Sequence, residues 1–135
     1  MIKLNRITEY GLIALKSISE SQHVVSAREV ADLHSIPYEV TAKTLQKMKD
    51  FGFIESAQGV HGGYLLKREL SSITLSEFLD CLEGPQLLVA CTGDKNIHST
   101  ECAYEHACDV RPMMTRLNHR VRDFLMTIKL TELTQ

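Results

Sequence analysis

The glycine-rich run from Gly59 to Gly63 constrains the fold of this chain more than any other feature of its sequence. It separates two short segments of strand-like composition, residues 53–58 and 64–66. Because glycine allows tight turns that other residues resist, this arrangement predicts a β-hairpin. Segments with helical spacing precede the hairpin, and short helices followed by a hairpin are the order of a winged helix–turn–helix. We therefore expect a mainly α-helical fold with a small β-hairpin wing.

Capping patterns place the boundaries of the helices. The predicted helices cover residues 5–21, 26–33, 37–51 and 74–82, and a long helix begins near residues 109–112. Ser26 and Glu29 form a capping box before the second helix, as do Thr74 and Glu77 before the fourth. Pro37 suits the first position of the third helix, where its missing N–H would be unpaired in any case. We expect three regions: a winged helix–turn–helix head (1–84), a cysteine-bearing loop (85–109) and a dimerisation helix (110–135).

The long C-terminal helix has a regular apolar seam. Met114, Leu117, Val121, Phe124 and Ile128 follow one another at spacings of 3, 4, 3 and 4. This spacing is typical of helices that pair in a coiled coil, so the seam predicts a homodimer interface. The alternative is a single amphipathic helix that packs on its own domain.

The third predicted helix and the hairpin form a candidate surface for double-stranded DNA. Helical spacing lets Val40, Leu45 and Met48 face the core. The side chains expected to project outward and contact phosphates and base edges are Thr41, Lys43, Thr44 and Lys47. The side chains expected to flank the wing tip and enter the minor groove are Gln58 and His61. The alternative is that these residues form an ordinary solvated face and an ordinary turn.

Composition and charge exclude several classes of protein. The chain is 44% hydrophobic and 24% charged, as is typical of soluble domains, and it contains no apolar run that would span a membrane. Its N-terminus has no signal-peptide pattern, so we expect a cytoplasmic protein. No nucleophile–base set, phosphate loop or dinucleotide fingerprint is visible, so neither an enzyme nor a small-molecule substrate is expected.

The charge of the chain is an argument against simple electrostatic attraction to DNA. The net charge of the 135 residues is -2. Residues 1–70 have nine basic and eight acidic side chains, a net of +1, whereas residues 71–135 have six and nine, a net of -3. Binding to DNA therefore requires that the basic groups cluster on one face.

Three cysteines form a candidate metal site before the long helix. Cys91, Cys102 and Cys108 have the spacing C-x10-C-x5-C. Thiolates are soft ligands that suit iron–sulfur clusters, zinc or copper(I). Zinc sites usually contain a tight C-x2-C pair, which is absent here, and direct oxidation of the thiols is a further alternative. Cys81 lies within the fourth predicted helix and is expected to be a small buried hydrophobe outside the site.

Four sequence segments and the cysteine triplet resemble one family. The segments are ITEYGLIALKSI, VSAREVADLHSIPYEVTAKTLQKMKDFGFIES, QGVHGGYLL and LEGP. Together with three cysteines before a long C-terminal helix, they resemble the IscR/NsrR-type bacterial regulators, the Rrf-two family. The resemblance covers nearly the whole chain, and within the family it is strongest to the branch that regulates iron–sulfur cluster assembly, the SUF system.

The resemblance implies a homodimer whose long helices cross, with an iron–sulfur cluster held by the cysteine triplet. We expect a 2Fe–2S cluster in preference to a 4Fe–4S cluster. Iron–sulfur clusters usually have four protein ligands, and the triplet supplies three, so a fourth must come from elsewhere in the protein. In some members it is a histidine three residues after the last cysteine, where this chain has Arg111. In others it is an acidic residue of the first helix, which is Glu9 here; His106 and His98, inside the loop, are the alternatives.

The family also implies a function. Its members repress genes of cluster assembly, iron uptake, nitric-oxide response or cysteine metabolism. We therefore expect a DNA-binding repressor whose affinity for DNA is controlled by an iron–sulfur cluster. The alternative is a cluster-free regulator of the same fold, controlled by thiol oxidation or by a protein partner, as in the cysteine-metabolism branch. Many members have an arginine in the wing where this chain has Gln58, which predicts a weaker contact of the wing with the minor groove.

Overall fold

The computed structural model describes residues 3–86 and 109–135. The helices are α1 Arg6–Glu20, α2 Ala27–His34, α3 Tyr38–Asp50, α4 Leu75–Glu83, α5 Val110–Thr127 and α6 Leu130–Thr134. The strands β1 Ile54–Ala57 and β2 Gly63–Leu66 pair antiparallel, and a short 3-10 turn covers Leu70–Ser72. The predicted mainly α-helical fold with a hairpin wing is confirmed. In the described part of the chain, no helix is long and apolar enough to cross a membrane.

Side-chain caps fix the starts of two helices, as the sequence predicts. The Ser26 hydroxyl oxygen accepts a hydrogen bond from the Glu29 N–H at 3.1 Å. At α4 both halves of the capping box are present: Thr74 accepts from the Glu77 N–H at 3.1 Å, and the Glu77 carboxylate accepts from the Thr74 N–H at 3.0 Å. Pro37 precedes α3 as its N-cap, one residue earlier than the predicted position. The side-chain caps of α2 and α4 satisfy backbone donors that a helix start otherwise leaves unpaired, whereas Pro37 forms no side-chain cap bond.

The core lies between α1, α3, α4 and the base of the hairpin. Its largest fully buried side chains include Leu15, Leu45, Met48, Phe53 and Phe78. Side chains of α4 pack directly on Gly11 of α1, where an added Cβ would lie 2.4 Å from Leu82 Cδ1 and 2.9 Å from Phe78 Cζ. A larger residue at Gly11 would therefore require these two side chains to shift.

The hairpin is attached to the helix–turn–helix by a third extended segment. Ala57 pairs with Gly63 at the outer end of the β1–β2 ladder. Val25, just before α2, forms two backbone hydrogen bonds with Tyr64 of β2, at 3.1 and 2.7 Å. A Cβ added at Gly63 would lie 2.5 Å from the Val25 carbonyl oxygen. The absence of a side chain at Gly63 therefore lets the wing pack against Val25, just before α2. This role is additional to the part that Gly63 has in the turn.

The C-terminal helix is interrupted where the sequence predicts it to continue. α5 ends at Thr127, and Ile128 is extended, with φ -92° and ψ 123°. The Ile128 carbonyl accepts a hydrogen bond from the Leu75 N–H at 2.8 Å, and the Leu130 N–H donates to the Ile73 carbonyl at 3.0 Å. Leu130 is 0% exposed and belongs to the core of the head. The prediction that Ile128 lies in the long helix is wrong, because these long-range bonds bend the chain back onto the head.

The predicted division into 1–84, 85–109 and 110–135 stays a prediction. Most of the cysteine-bearing loop, residues 87–108, lies outside the described residues.

Candidate nucleic-acid interface

The outward face of α3 has a row of charged and amide side chains. Lys43 and Lys47 are exposed, as predicted. Glu39 and Gln46 are exposed on the same face, and Gln46 donates to the Asp50 carboxylate at 2.9 Å. Sequence reasoning missed Glu39 and Gln46, although their spacing from the two lysines places them one helical turn away. The face therefore combines two cations with groups that can donate to or accept from base edges.

Thr41 and Thr44 do not project outward, and that prediction is wrong. They are 2% and 1% exposed and lie on the buried face of α3. Each hydroxyl donates to the backbone carbonyl four residues earlier, Thr41 to Pro37 at 3.0 Å and Thr44 to Val40 at 2.7 Å. A threonine that bonds in this way needs no water, so it packs in a core as a β-branched residue does.

The correct core stripe of α3 could have been found from spacing alone. Its members are Thr41, Thr44, Leu45 and Met48. They follow the i, i+3, i+4, i+7 pattern of a buried helix face. Val40, which was predicted to face the core, is only partly buried. Because threonine is a polar residue, the two threonines were assigned to the exposed face although their spacing is that of the buried face.

The wing tip is formed by the residues between the two strands. Gln58 and His61 are exposed, as their predicted role requires. Val60 lies between them and is 98% exposed. The Gly62 N–H donates to the Gly59 carbonyl at 3.1 Å, and Gly59 has a φ of +132°, which favours glycine. The tip therefore presents one polar, one apolar and one imidazole side chain to solvent.

The residues of the predicted metal site fall in two groups. Cys91, Cys102, Cys108, His98 and His106 all lie outside the described residues. In the described part of the chain, no group of three or more His, Cys, Asp or Glu side chains is placed to hold a metal ion.

Glu9, the predicted fourth ligand, is exposed in the first turn of α1. Its neighbours anchor that turn to α4: the Glu83 carboxylate accepts from the Asn5 N–H at 3.2 Å and from the Thr8 hydroxyl. Glu83 is the last residue of α4, and the chain continues from it toward residues 87–108. Glu9 thus lies near the point at which the cysteine-bearing segment leaves the head, with its carboxylate accessible to a ligand.

Cys81 packs against the core and differs from a metal ligand. Its thiol donates to the Lys47 carbonyl at a sulfur–oxygen distance of 3.5 Å. Burial raises the pKa of the Cys81 thiol to about 11, a rise to which the nearby Asp50 adds and which Lys47 opposes. The raised pKa keeps this thiol protonated to a higher pH than an ordinary cysteine, which suits a packed side chain better than a reactive one.

One face of α5 packs on the head and a neighbouring face does not. Arg122 binds Asp80 of α4 at 2.9 Å, and no residue of α5 is fully buried. The strongly exposed apolar side chains on one stripe of α5 are Val110 (54%), Met113 (57%), Leu117 (45%) and Phe124 (63%). Of the predicted seam, Leu117 and Phe124 belong to this stripe, whereas Met114 and Val121 are partly buried. Sequence reasoning missed Val110 and Met113, which extend the stripe by one turn.

The consecutive helices α2 and α3, an exposed face of α3 that has two lysines, and a glycine-tipped hairpin define a winged-helix protein that binds DNA. The chain matches the model of the Rrf2 family, described as iron-dependent transcriptional regulators, over residues 4–135. It therefore belongs to the Rrf2 family. This confirms the family resemblance of the sequence, and it confirms that the protein is a transcriptional regulator and not an enzyme.

Individual relatives are distant in sequence. The repressor NsrR of Streptomyces coelicolor is 27% identical over 112 residues, which are 78% of this chain and 72% of that protein. A helix–turn–helix regulator of Azotobacter vinelandii is 26% identical over 111 residues, 81% of this chain but only 63% of that protein, which is less than two thirds of its length. Among solved structures, CymR, the global cysteine regulator of B. subtilis, has a TM-score of 0.74 at 21% identity, covering 99% of this chain and 97% of that one. At this identity the structure supports the fold alone.

Proposed function

We propose that this regulator binds double-stranded DNA as a homodimer and that an iron–sulfur cluster held by Cys91, Cys102 and Cys108 controls its affinity for DNA. The outward face of α3 enters the major groove, and the wing contacts the adjacent minor groove. The target genes are those of iron–sulfur cluster assembly or of iron and redox stress, which the regulator represses. The family is described as iron-dependent, so its members need a site that binds iron. In this sequence the cysteine triplet supplies three thiolates, which are soft ligands that suit an iron–sulfur cluster.

The stripe on α5, which stays exposed within residues 3–86 and 109–135, is the observation that supports the proposal best. Four exposed apolar side chains on one helix are costly in water unless another surface covers them. Their spacing is that of helices that pair, and a second copy of this chain presents the same stripe, so a two-fold pair of α5 helices covers both. A dimer also places two copies of α3 on one duplex, which offsets the low net charge of each chain.

The cysteine-bearing segment is joined to rigid elements at both ends. At its start, α4 is bonded to the first turn of α1 through Glu83. At its end, Cys108 is separated by one residue from α5, which is bonded to α4 through Arg122 and Asp80. An iron–sulfur cluster supplies a group that can be gained, lost or oxidised as iron and redox conditions change. Through these anchors, gain or loss of the cluster by the cysteine-bearing segment can affect the positions of both α1 and α5. The two heads of the proposed dimer can then take two relative arrangements that differ in DNA affinity.

The cofactor is tested on protein purified without oxygen. We expect a coloured protein with iron and acid-labile sulfide, whose ratio decides between 2Fe–2S and the 4Fe–4S alternative. Cys91→Ser, Cys102→Ser and Cys108→Ser should each remove or shift the visible absorption, whereas Cys81→Ser, the matched control, should leave it unchanged. A colourless protein, with zinc or with no metal, would overturn the cluster and favour the cluster-free alternative, while the DNA-binding proposal would stand.

The fourth ligand is tested by its own pair of variants. Glu9→Ala should change the absorption spectrum and hasten the loss of iron to a chelator, whereas Glu20→Ala, an exposed carboxylate at the other end of α1, should do neither. A spectral change in His106→Ala or His98→Ala with none in Glu9→Ala would assign the ligand to the loop instead.

A further inference from the structure

An arginine and a tyrosine form a stacked pair at the edge of the proposed DNA-binding face. The guanidinium carbon of Arg28, in α2, lies 4.1 Å from the centroid of the Tyr38 ring, at the start of α3. Both residues are exposed, Tyr38 at 43%. A guanidinium held against an aromatic face in this way loses less freedom on binding, and its N–H groups remain available at its edge.

Local stability does not explain the charge at Arg28. The residue lies in the first turn of α2, where the helix dipole disfavours a cation. The adjacent acidic residue, Glu29, faces His23 instead, at 3.7 Å. Among residues 3–86 and 109–135, Arg28 forms no ion pair with a carboxylate. A cation that is unfavourable for its own helix and unpaired within the described chain is available for an external anion.

The wing and the helix–turn–helix fix where this pair lies. Tyr38 is the first residue of α3, so it lies at the end of the helix that reads bases in this class of fold. Val25, three residues before Arg28, is hydrogen bonded to Tyr64 of the wing. Burial, and next the charge of Tyr38, raise the pKa of Tyr64. The Arg28 guanidinium is thus held over the first residue of α3, and the segment that leads into its own helix is bonded to the base of the wing.

We propose that Arg28 binds a backbone phosphate of the DNA and that Tyr38 positions it. This inference rests on the proposed function, because it requires that α3 enters the major groove. The phosphate backbone borders that groove, and the start of the first helix of a helix–turn–helix pair crosses it. The planar guanidinium donates two N–H groups to one phosphate, which a lysine cannot do with the same geometry.

The test measures the affinity for a fluorescein-labelled duplex of unselected sequence as a function of salt. Arg28→Ala should reduce the steepness of log K against log salt by about 1.8, because each neutralised phosphate contributes about 0.9 and the proposed dimer has two copies of Arg28. Arg28→Lys should keep the slope and lose part of the affinity. Lys16→Ala, which removes the same charge from α1 outside the helix–turn–helix, is the control and should change neither. An Arg28→Ala slope equal to that of the Lys16→Ala control would overturn the proposal.

The positioning role of Tyr38 has its own readout. Tyr38→Phe keeps the ring and should bind as the wild type does, whereas Tyr38→Ala should weaken binding. In the double variant Arg28→Ala/Tyr38→Ala, the loss should be no greater than in Arg28→Ala alone, because the ring acts through the guanidinium. Additive losses would show that Tyr38 contacts DNA independently and would contradict the positioning role.

Failure of this inference can be separated from failure of the proposed function. Lys43→Ala and Lys47→Ala should each lower the same salt slope if α3 enters the groove. If they do and Arg28→Ala does not, only the Arg28 proposal is wrong. If none of the three changes the slope, the DNA-binding face itself is wrong.

Discussion

At the scale of single residues, threonines and lysines follow one another along α3, and only the lysines are exposed to solvent. The lysines at 43 and 47 are exposed, whereas the threonines at 41 and 44 are buried and bonded to helix carbonyls. The Pro37 carbonyl also accepts from the Thr41 N–H at 3.1 Å, so it keeps a partner if the hydroxyl is removed. The threonines therefore stabilise the packing of the helix, and the lysines have the exposure that the proposed contact with DNA requires.

This division predicts different effects of substitutions within the seven residues 41–47. Thr41→Val and Thr44→Val should leave DNA affinity unchanged and shift the free energy of unfolding by less than about 1 kcal/mol, since no buried group loses its only partner. Lys43→Ala and Lys47→Ala should leave the unfolding free energy unchanged and weaken DNA binding, with a loss relative to the wild type that is about threefold or more larger at about 50 mM salt than at about 200 mM, because each lost phosphate contact lowers the salt dependence. Urea unfolding and fluorescence anisotropy measure the two quantities. A loss of DNA affinity in the valine variants with a normal fold would contradict the assignment.

A second residue-scale prediction concerns the Cys81 thiol. In the variant Cys91→Ser/Cys102→Ser/Cys108→Ser, Cys81 is the single remaining cysteine. Its pKa is raised from the ordinary value of 9.0 to about 11, chiefly by burial. At pH 8 the folded chain should then react with iodoacetamide roughly 100-fold more slowly than the urea-unfolded chain, since the thiolate is the reactive form. Equal rates in the two states would contradict the burial of this thiol.

The same raised pKa gives a pH dependence of stability. The unfolded chain ionises at Cys81 more readily than the folded chain does. The contribution of the protonated thiol is therefore complete below pH 9 and is lost as the pH rises through about 11. Replacing Cys81 with alanine should remove this alkaline component of the unfolding free energy.

At the scale of elements, the wing is part of a three-segment unit that includes Val25. The sequence predicts the hairpin well, because the glycine-rich turn and the flanking strands are local features. It does not predict the bonds between Val25 and Tyr64, which join residues distant in the chain. The break at Ile128 was missed for the same reason: the seam continues in helical register, and the break is made by bonds to Ile73 and Leu75.

The close approach of the wing to Val25 predicts a sharp difference between adjacent glycines. Gly63→Ala places a Cβ 2.5 Å from a backbone oxygen, so the wing must shift, at a cost of about 1–3 kcal/mol. Gly62→Ala meets its nearest atoms at 3.2 Å and should cost less than Gly63→Ala. Urea unfolding measures both, and DNA affinity should fall further in Gly63→Ala. Equal stability of the two variants would show that the wing is not held against Val25.

At the scale of the whole molecule, two faces of α5 differ in their surroundings. One face packs on α4 through Arg122, and a second is the apolar stripe that includes Leu117 and Phe124. Met126 is also exposed, at 51%, but helical spacing places it opposite Leu117. The sequence predicts the apolar seam. It does not predict which seam residues are partly buried and which are exposed, because that depends on where α4 lies.

The stripe predicts which substitutions dissociate the dimer. Leu117→Asp and Phe124→Asp should yield monomers in sedimentation equilibrium, because a carboxylate is poorly tolerated in an apolar interface. Met126→Asp, an equally exposed apolar residue on the opposite face, is the matched control and should remain dimeric. The monomeric variants should also lose most of their affinity for DNA, since each head then binds alone. A Leu117→Asp protein that remains dimeric would place the interface elsewhere.

The central claim is that the cluster controls DNA affinity, and one titration tests it most directly. Duplexes are selected from a random-sequence pool, once on the protein with its cluster and once on the protein after its removal. Each duplex is then titrated without oxygen with both forms, and the dimeric state is confirmed at the same concentrations. The account predicts that the two forms differ in affinity on at least one set of duplexes, and that Cys102→Ser behaves as the cluster-free form does. Equal affinities of both forms on every selected duplex would contradict it.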